Sequence, residues 1–119
     1  MGLKVLLVDD SAFMRNLLKK LIVDAGGEVV GEGENGQDGV GKYESLNPDV
    51  VFMDIMMPVM NGLDALRAIM GKNSSAKVVM CTSVGQEKVV AEAVEAGASD
   101  FIVKPFTKDD VTAVLSKYS

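Results

Sequence analysis

Short apolar runs alternate along the chain with segments whose apolar residues recur every three or four positions. The runs are rich in β-branched residues, as is typical of strands buried on both faces of a parallel sheet. They are Lys4–Val8, Glu28–Gly31, Val50–Met53, Lys77–Cys81 and Phe101–Val103. Because a segment with helical spacing follows each run, the pattern predicts five strand–helix units.

The clearest helix follows the first run and ends at Gly26-Gly27. Its polar residues, Arg15 among them, are predicted to lie on the face opposite the apolar one. The apolar face is predicted to comprise Phe13, Met14, Leu17, Leu18, Leu21, Ile22 and Ala25.

The other helices have weaker or shorter patterns. Segment 36–46 is a poor helix by propensity, since Gly39 and Gly41 each cost about 1 kcal/mol relative to Ala. The fifth helix is predicted to begin at Thr107, which with Asp110 forms a variant of the capping box. The apolar positions of the third, fourth and fifth helices are Leu63, Leu66, Ile69 and Met70; Val89, Val90, Ala93 and Val94; and Val111, Val114 and Leu115.

Five such units predict an α/β fold of the flavodoxin-like (βα)5 type, with helices on both faces of a parallel sheet. The expected strand order is 2-1-3-4-5, which suits a short chain better than a six-stranded dinucleotide fold. The 119 residues, 48% of them hydrophobic, indicate a single domain over residues 1–119. Function is then expected at the carboxyl ends of strands one and three, where the strand order reverses.

Charge and composition limit the kinds of partner that the protein can bind and the cell compartment in which it is expected. A net charge of −5 argues against nucleic acid, and no apolar run approaches the roughly 18 residues of a membrane span. Asp9 interrupts the N-terminal apolar run and no cleavage site follows it, so a cytoplasmic protein is expected. The protein is also expected to be a monomer. Cys81 follows an apolar run and is expected to be buried. There is no histidine, the commonest general base and metal ligand.

Polar residues stand at four predicted strand ends. Asp9-Asp10, Asp54, Thr82 and Lys104 each follow a different apolar run, so they are expected to converge on one crevice. Two carboxylates about 4 Å apart repel by about 4 kcal/mol at an effective dielectric near 20. Lys104 can offset one charge and a divalent cation the rest. Oxygen ligands without a Cys or His cluster favour Mg²⁺.

Each of these residues also has a purely structural interpretation. An aspartate between a strand and a helix is often a helix N-cap, which applies to Asp9 or Asp10 alone. Lys104-Pro105 alone reads as an ordinary surface turn. The combination is more specific than any member, because four separate strand ends carry compatible chemistry.

The segment Gly31–Gly36, GEGENG, matches the dinucleotide-binding pattern G-x-G-x-x-G, and Asp54 follows its last glycine by 54 − 36 = 18 residues. This raises nucleotide binding as an alternative function. However, the segment follows the second strand, which is expected at the sheet edge, and Glu32 and Glu34 would repel a pyrophosphate. Gly31, Gly33 and Gly36 are therefore interpreted as turn and strand-end residues.

Four longer stretches carry a family resemblance: VLLVDDSAFMR, NPDVVFMDIMMPVMNGLDALRAI, VVMCTS and EAGASDFIVKPF. In this order and spacing the chain resembles, over essentially its whole length, the receiver domain of two-component response regulators. Within that family it is most similar to the single-domain CheY-like chemotaxis proteins.

The resemblance implies a role for each matching residue in a magnesium-dependent phosphoryl transfer. Asp54 would be the phosphoacceptor and would also contact Mg²⁺. Asp10 would bind the ion directly, Asp9 directly or through water, and Met56 through its backbone carbonyl. Thr82 would bind the transferred group, as would the side chain of Lys104.

The resemblance also implies the signalling partners. A CheA-like histidine kinase would donate the phosphoryl group, and a motor switch protein or an adaptor would receive the signal on the face built from helix 4, strand 5 and helix 5. Such a domain is not an enzyme, although it assists its own phosphorylation and dephosphorylation. Because no effector domain follows residue 119, output is expected through a protein contact. The alternatives are a phosphorelay intermediate and, less favoured, a Mg²⁺-dependent phosphatase, which would need a D-x-D pair.

The chain departs from the family pattern near the site. Phe101 stands at the switch position where chemotaxis members carry Tyr, so together with Thr82 it would switch by packing alone, unless it is a fixed core residue. Met56 and Val84 are apolar where the family positions bear on hydrolysis, which predicts a long-lived phosphoryl group. The resemblance further implies a cis bond between Lys104 and Pro105.

Overall fold

A computed structural model describes residues 2–118 and contains a five-stranded parallel sheet in the order β2-β1-β3-β4-β5. The predicted fold class and strand order are therefore confirmed. The elements in chain order are β1 (Lys4–Val8), α1 (Ala12–Asp24), β2 (Glu28–Gly33), α2 (Gly36–Leu46), β3 (Val50–Asp54), α3 (Gly62–Lys72), β4 (Val78–Thr82), α4 (Glu87–Glu95), β5 (Asp100–Val103) and α5 (Lys108–Tyr118).

Helices cover both faces of the sheet, as expected for strands with continuous apolar runs. In β1, Val5 and Leu7 point to the α1–α5 face, whereas Leu6 and Val8 point to the α2–α3–α4 face. Each face has its own hydrophobic core, and Phe52 of the central strand β3 is fully buried. This double burial holds the strand ends in fixed relative positions.

Three strands extend further toward the carboxyl edge than the sequence pattern predicted. β2 continues to Gly33, which pairs with Val8 of β1, whereas the prediction ended this strand at Gly31. β3 reaches Asp54, and β4 is shifted by one residue to end at Thr82. The predicted strands end just before a polar residue, but the backbone ladder continues through that residue because it needs only N–H and C=O groups.

The α2 helix forms despite its glycines. Asn35 caps it by accepting a hydrogen bond from the Asp38 N–H, and Gly39 packs directly on β1. A Cβ at Gly39 would lie 2.8 Å from a Val8 methyl, so glycine allows the close approach of helix and sheet. Nothing in the structure explains the glycine at position 41.

The apolar face predicted for α1 is confirmed at Leu18 and Ile22, which are buried, and at Met14, which packs against the same core. It is wrong at Phe13, which is exposed. The predicted capping box of α5 is confirmed, since the Thr107 hydroxyl and Asp110 carboxylate each accept a hydrogen bond from the other's backbone N–H. Between residues 2 and 118 no helix is both long and apolar enough to span a membrane.

Candidate functional site

Four of the predicted site residues meet at the carboxyl edge of the sheet. Asp54 ends β3, Thr82 ends β4, Asp9 follows β1 and Lys104 follows β5. The Lys104 ammonium donates a hydrogen bond to Asp54 Oδ1 at 2.9 Å and to Asp9 Oδ2 at 3.3 Å. Both carboxylates are largely buried. The structure therefore assembles a compact charged cluster from residues up to 95 positions apart.

The two carboxylates of this cluster share a single ammonium, that of Lys104. Burial raises the pKa of Asp54, and the charge of Asp9 raises it further, although Lys104 partly counteracts both effects. Burial alone would lower the pKa of Lys104, but its hydrogen bond to Asp54 and the charges of both aspartates leave that pKa raised. The Asp54 carboxylate is therefore held in its charged form at a cost, which an additional cation would relieve.

A third carboxylate lies beside these two. One oxygen each from Asp9, Asp10 and Asp54 can be chosen so that all lie within 4.8 Å of one another. Asp10 is the exposed member of the three. Carboxylate oxygens beside open solvent fit a hard divalent ion that keeps several waters, which is the coordination that Mg²⁺ prefers. The residues present therefore suit the metal that the sequence predicted.

Asp9 does not cap helix α1. Its Oδ1 accepts a hydrogen bond from the Ser11 N–H at 2.8 Å, and Ser11 itself caps the helix by accepting from the Met14 N–H. Asp9 N–H in turn donates to the Gly33 carbonyl at 3.1 Å. The structural interpretation of Asp9 and Asp10 as N-caps is therefore wrong, and both carboxylates are available to the crevice.

The loop from β3 to α3 passes close beside Asp54. A Cβ at Gly62 would lie 1.9 Å from the Asp54 carbonyl oxygen, so only glycine lets α3 begin there. Val59 adopts a positive φ of 68°, and the Met60 N–H donates to the Pro58 carbonyl at 2.7 Å across it. This γ-turn is strained for a β-branched residue. The side chain of Met56, earlier in the same loop, is exposed.

The β4–β5 side of the crevice is open and apolar. Thr82 Oγ1 donates to the Ile102 carbonyl at 3.5 Å, the outer limit of a hydrogen bond. Beside it lies a cavity of 280 Å³ whose walls include Val84, Val90 and Phe101. Phe101 is 45% exposed and Val84 is 88% exposed. Phe101 is therefore not the buried core residue that the alternative interpretation required.

Two smaller predictions are confirmed. The Lys104–Pro105 peptide bond is cis. Cys81 is buried on β4, where it pairs with Asp54 across the sheet, and burial strongly raises the pKa of its thiol.

Arg15 also belongs to this region, although the sequence pattern predicts only that it lies on the polar face of α1. Its guanidinium donates to the Asp9 carbonyl at 2.6 Å and to Glu32 at 3.1 Å. No periodicity reports such a contact, because it joins a helix to an adjacent loop and strand. The only signal was the unexplained pair of glutamates in the GEGENG segment.

The three glycines of the GEGENG segment, interpreted as turn and strand-end residues, lie in different elements. Gly31 lies within β2, Gly33 ends that strand and Gly36 begins α2. The segment lies on the edge strand of the sheet, as expected. The strand-end interpretation is therefore correct for Gly33, two residues later than predicted for this strand, and Gly36 begins a helix rather than lying in a turn.

The five-stranded order, the acidic cluster and the lysine after β5 together define a class of protein. The family model of the response regulator receiver domain matches residues 5–116, and the chain belongs to that family. The family identified from the sequence motifs is thus confirmed.

Among individual proteins, the chain is 53% identical over 119 residues to the chemotaxis protein CheY of Thermotoga maritima, covering 100% of this chain and 99% of the relative. It is 47% identical over 117 residues to CheY of Bacillus subtilis, with 98% of each covered. It also resembles the solved CheX-CheY-BeF3-Mg complex of Borrelia burgdorferi, with a TM-score of 0.91 and 34% identity over 98% of this chain and 90% of that one.

Proposed function

We propose that this protein is a CheY-like response regulator of a two-component chemotaxis system, acting as a receiver domain over residues 1–119. It accepts a phosphoryl group on Asp54 from a CheA-like histidine kinase and thereby changes its affinity for a motor switch or adaptor protein. The observation that carries the proposal is the Asp54 carboxylate, buried at a strand end with an ammonium at 2.9 Å and two further aspartates beside it. The names of the relatives support the chemotaxis pathway.

Asp54 is the nucleophile of the transfer. One of its oxygens forms the new P–O bond as the P–N bond to the donor imidazole breaks, and the imidazole leaves with the electron pair of that bond. Phosphoryl transfer depends mainly on in-line positioning and on stabilisation of charge. Lys104 binds a phosphoryl oxygen by leaving its present bond to Asp54, and the Thr82 hydroxyl binds another.

Mg²⁺ is the cofactor of this reaction. Asp10 and Asp54 would hold it with their carboxylates, Asp9 directly or through water, and Met56 through its backbone carbonyl. When bound, the ion neutralises charge on the phosphoryl oxygens. The fit of three carboxylates to a hard cation supports this assignment.

The signal leaves through the face formed by α4, β5 and α5. When Thr82 moves toward the phosphoryl group, Phe101 moves into the space that this movement opens, and the packing of β5 against α4 shifts. This is a population shift between two packings of one face. The weak hydrogen bond of Thr82 and the neighbouring 280 Å³ cavity support it, as does a relative solved with beryllofluoride, Mg²⁺ and the protein CheX.

The protein is not an enzyme with a separate substrate, although its own residues assist both phosphorylation and dephosphorylation. It acts as a monomer in the cytoplasm, with no role for nucleic acid or membrane. Its net charge of −5 is consistent with protein partners and a cation.

The test is incubation with Mg²⁺ and acetyl phosphate followed by intact mass spectrometry. We expect one phosphoryl group per chain in the wild type and in the control Asp64→Asn, and none in Asp54→Asn. Continuous hydrolysis of a phosphate ester would instead support a phosphatase. An adduct on the Asp54→Asn protein would overturn the assignment.

A pull-down with and without beryllofluoride tests the output. Capture of a motor switch or adaptor protein only with beryllofluoride supports the chemotaxis role. Capture of a histidine phosphotransfer protein alone would favour the phosphorelay intermediate.

A further inference from the structure

The Arg15 side chain lies against the turn that carries Asp9 and Asp10. Its Nη1 donates to the Asp9 carbonyl oxygen at 2.6 Å, and its Nε donates to Glu32 Oε1 at 3.1 Å. Only 13% of the side chain is exposed, which is low for an arginine near the surface. The guanidinium therefore joins helix α1, strand β2 and the aspartate turn in one contact.

Glu32 anchors this arginine. It contacts Lys19 at 3.8 Å as well as Arg15, and its backbone carbonyl accepts a hydrogen bond from the Lys42 ammonium. Glu34 lies 3.9 Å from the same guanidinium. The two glutamates of the GEGENG segment thus have a physical role: they hold an arginine.

The contact constrains Asp10 through the peptide bond. The Asp9 carbonyl and the Asp10 N–H belong to one planar unit, so fixing the carbonyl oxygen fixes the direction in which the chain enters Asp10. Asp9 is already held at its N–H by Gly33 and at its carboxylate by Ser11 and Lys104. Arg15 supplies the remaining constraint on this turn.

We propose that Arg15, oriented by Glu32, is a positioning residue for the metal site and sets the direction of the Asp10 carboxylate. The proposal rests on the magnesium role of that site given above. An arginine suits this role because its planar guanidinium donates hydrogen bonds to two acceptors at fixed angles.

The direction of the change in Mg²⁺ affinity distinguishes a positioning role of Arg15 from a purely electrostatic one. Arg15 is a cation near a cation site, so removing its charge should tighten Mg²⁺ binding if only electrostatics mattered. If Arg15 positions Asp10, removing it should weaken binding. Lys19 provides a matched control, because it carries the same charge one helical turn further along α1 and also contacts Glu32, but lies 51% exposed.

The experiment measures the Mg²⁺ dissociation constant by calorimetry, without a phosphoryl donor, for wild type, Arg15→Gln, Arg15→Lys and Lys19→Gln. We expect Arg15→Gln to weaken binding about tenfold, at the lower end of effects seen when a partner of a metal ligand is removed. Lys19→Gln should stay within about twofold of wild type, since its charge is exposed and screened. Arg15→Lys should fall between the two, because an ammonium keeps one donor but loses the fork.

A second readout needs no metal. In the presence of a chelator, Arg15→Gln should increase amide hydrogen exchange at Asp10 and Ser11, whereas Lys19→Gln should not. Unchanged or tighter Mg²⁺ binding in Arg15→Gln would overturn the positioning role while leaving the proposed function intact. A wild type that binds no Mg²⁺ would overturn both. If Arg15→Gln does not fold, Arg15→Lys decides, and wild-type affinity in that variant counts against the proposal.

Discussion

The Asp54 crevice lies between two flanks that are held by different forces. The β2 flank, residues 9–15 and 31–36, is fixed by ion pairs and hydrogen bonds that converge on Arg15 and Asp9. The β5 flank, residues 82–90 and 100–103, shares the backbone ladder between β4 and β5. Its side chains toward the crevice make one long hydrogen bond, from Thr82, and line an apolar cavity. A buried polar network specifies one geometry, whereas loosely packed apolar groups permit more than one.

This difference suits the two tasks of a receiver domain. Under the proposed function Asp9 and Asp10 would hold Mg²⁺, and a rigid turn would keep their separation fixed. An output surface must exist in two packings that differ by only a few kcal/mol. The open space beside Phe101 provides room for the second packing on the β5 flank.

The largest expected effect is a loss of stability on the β2 flank. A Cβ at Gly36 would lie 2.3 Å from the Met60 carbonyl oxygen, so Gly36→Ala forces backbone to move. We expect a cost of about 3 kcal/mol in the free energy of unfolding, measured by urea denaturation. The control Gly41→Ala, with nothing within 4 Å, should gain about 0.5–1 kcal/mol. Equal stabilities for the two variants would mean that this flank is not rigid.

The next effect concerns the lifetime of the phosphoryl group. Met56 and Val84 present exposed apolar side chains beside the site, which cannot hold a water molecule for attack. We expect Met56→Asn with Val84→Glu to speed dephosphorylation about tenfold, equal to about 1.4 kcal/mol of barrier. Loss of the phosphorylated species is followed over time by mass spectrometry.

Val94→Glu serves as the control for added charge, since Val94 is exposed on α4 outside the crevice. Its dephosphorylation rate should match that of the wild type. No acceleration in the double variant would show that the apolar residues do not protect the phosphoryl group.

A smaller effect is expected on the β5 flank itself. Phe101 is about half exposed and faces the cavity, so Phe101→Ala should cost less than about 1 kcal/mol of stability. Its neighbour Ile102 is buried, and Ile102→Ala should cost about 2–4 kcal/mol. Denaturation of both variants compares the two faces of one strand. A large loss at Phe101 would contradict the view that this flank is loosely packed.

The last prediction concerns the Asp54 carboxylate, which lies between the two flanks, and uses the direction of its pKa shift. Burial, aided by Asp9, raises the pKa of Asp54 in the metal-free protein. When a carboxyl group has a higher pKa in the folded chain than in the unfolded one, the unfolded chain binds fewer protons between the two pKa values. The free energy of unfolding therefore falls as pH rises from the unfolded pKa through the folded pKa. With a chelator present, Asp54→Asn should therefore be more stable than wild type at neutral pH. The difference should vanish below the unfolded pKa, and a constant difference across pH would contradict it.

Much of the site could be predicted because the end of a buried strand can be recognised where an apolar run stops. Asp54, Thr82 and Lys104 follow apolar runs, and parallel strands bring their carboxyl ends to one edge. The convergence of residues as distant as Asp9 and Lys104 followed from strand order alone. Arg15 could not be predicted, since helical periodicity assigns a side chain to a face but not to a partner beyond the helix.

The sequence by itself determined the five strand–helix units and the family, because periodicity and motif spacing are local properties. The strand order and the meeting of the carboxylates followed from the number of units and from the rule that parallel strands bring their carboxyl ends to one edge. Only the tertiary structure decided how the crevice is held. It showed that Ser11 caps α1, that Gly39 permits the close packing of α2 on β1, and that Glu32 holds Arg15 against the Asp9 carbonyl. These contacts join separate elements, and their geometry depends on distances that no single segment of the chain specifies.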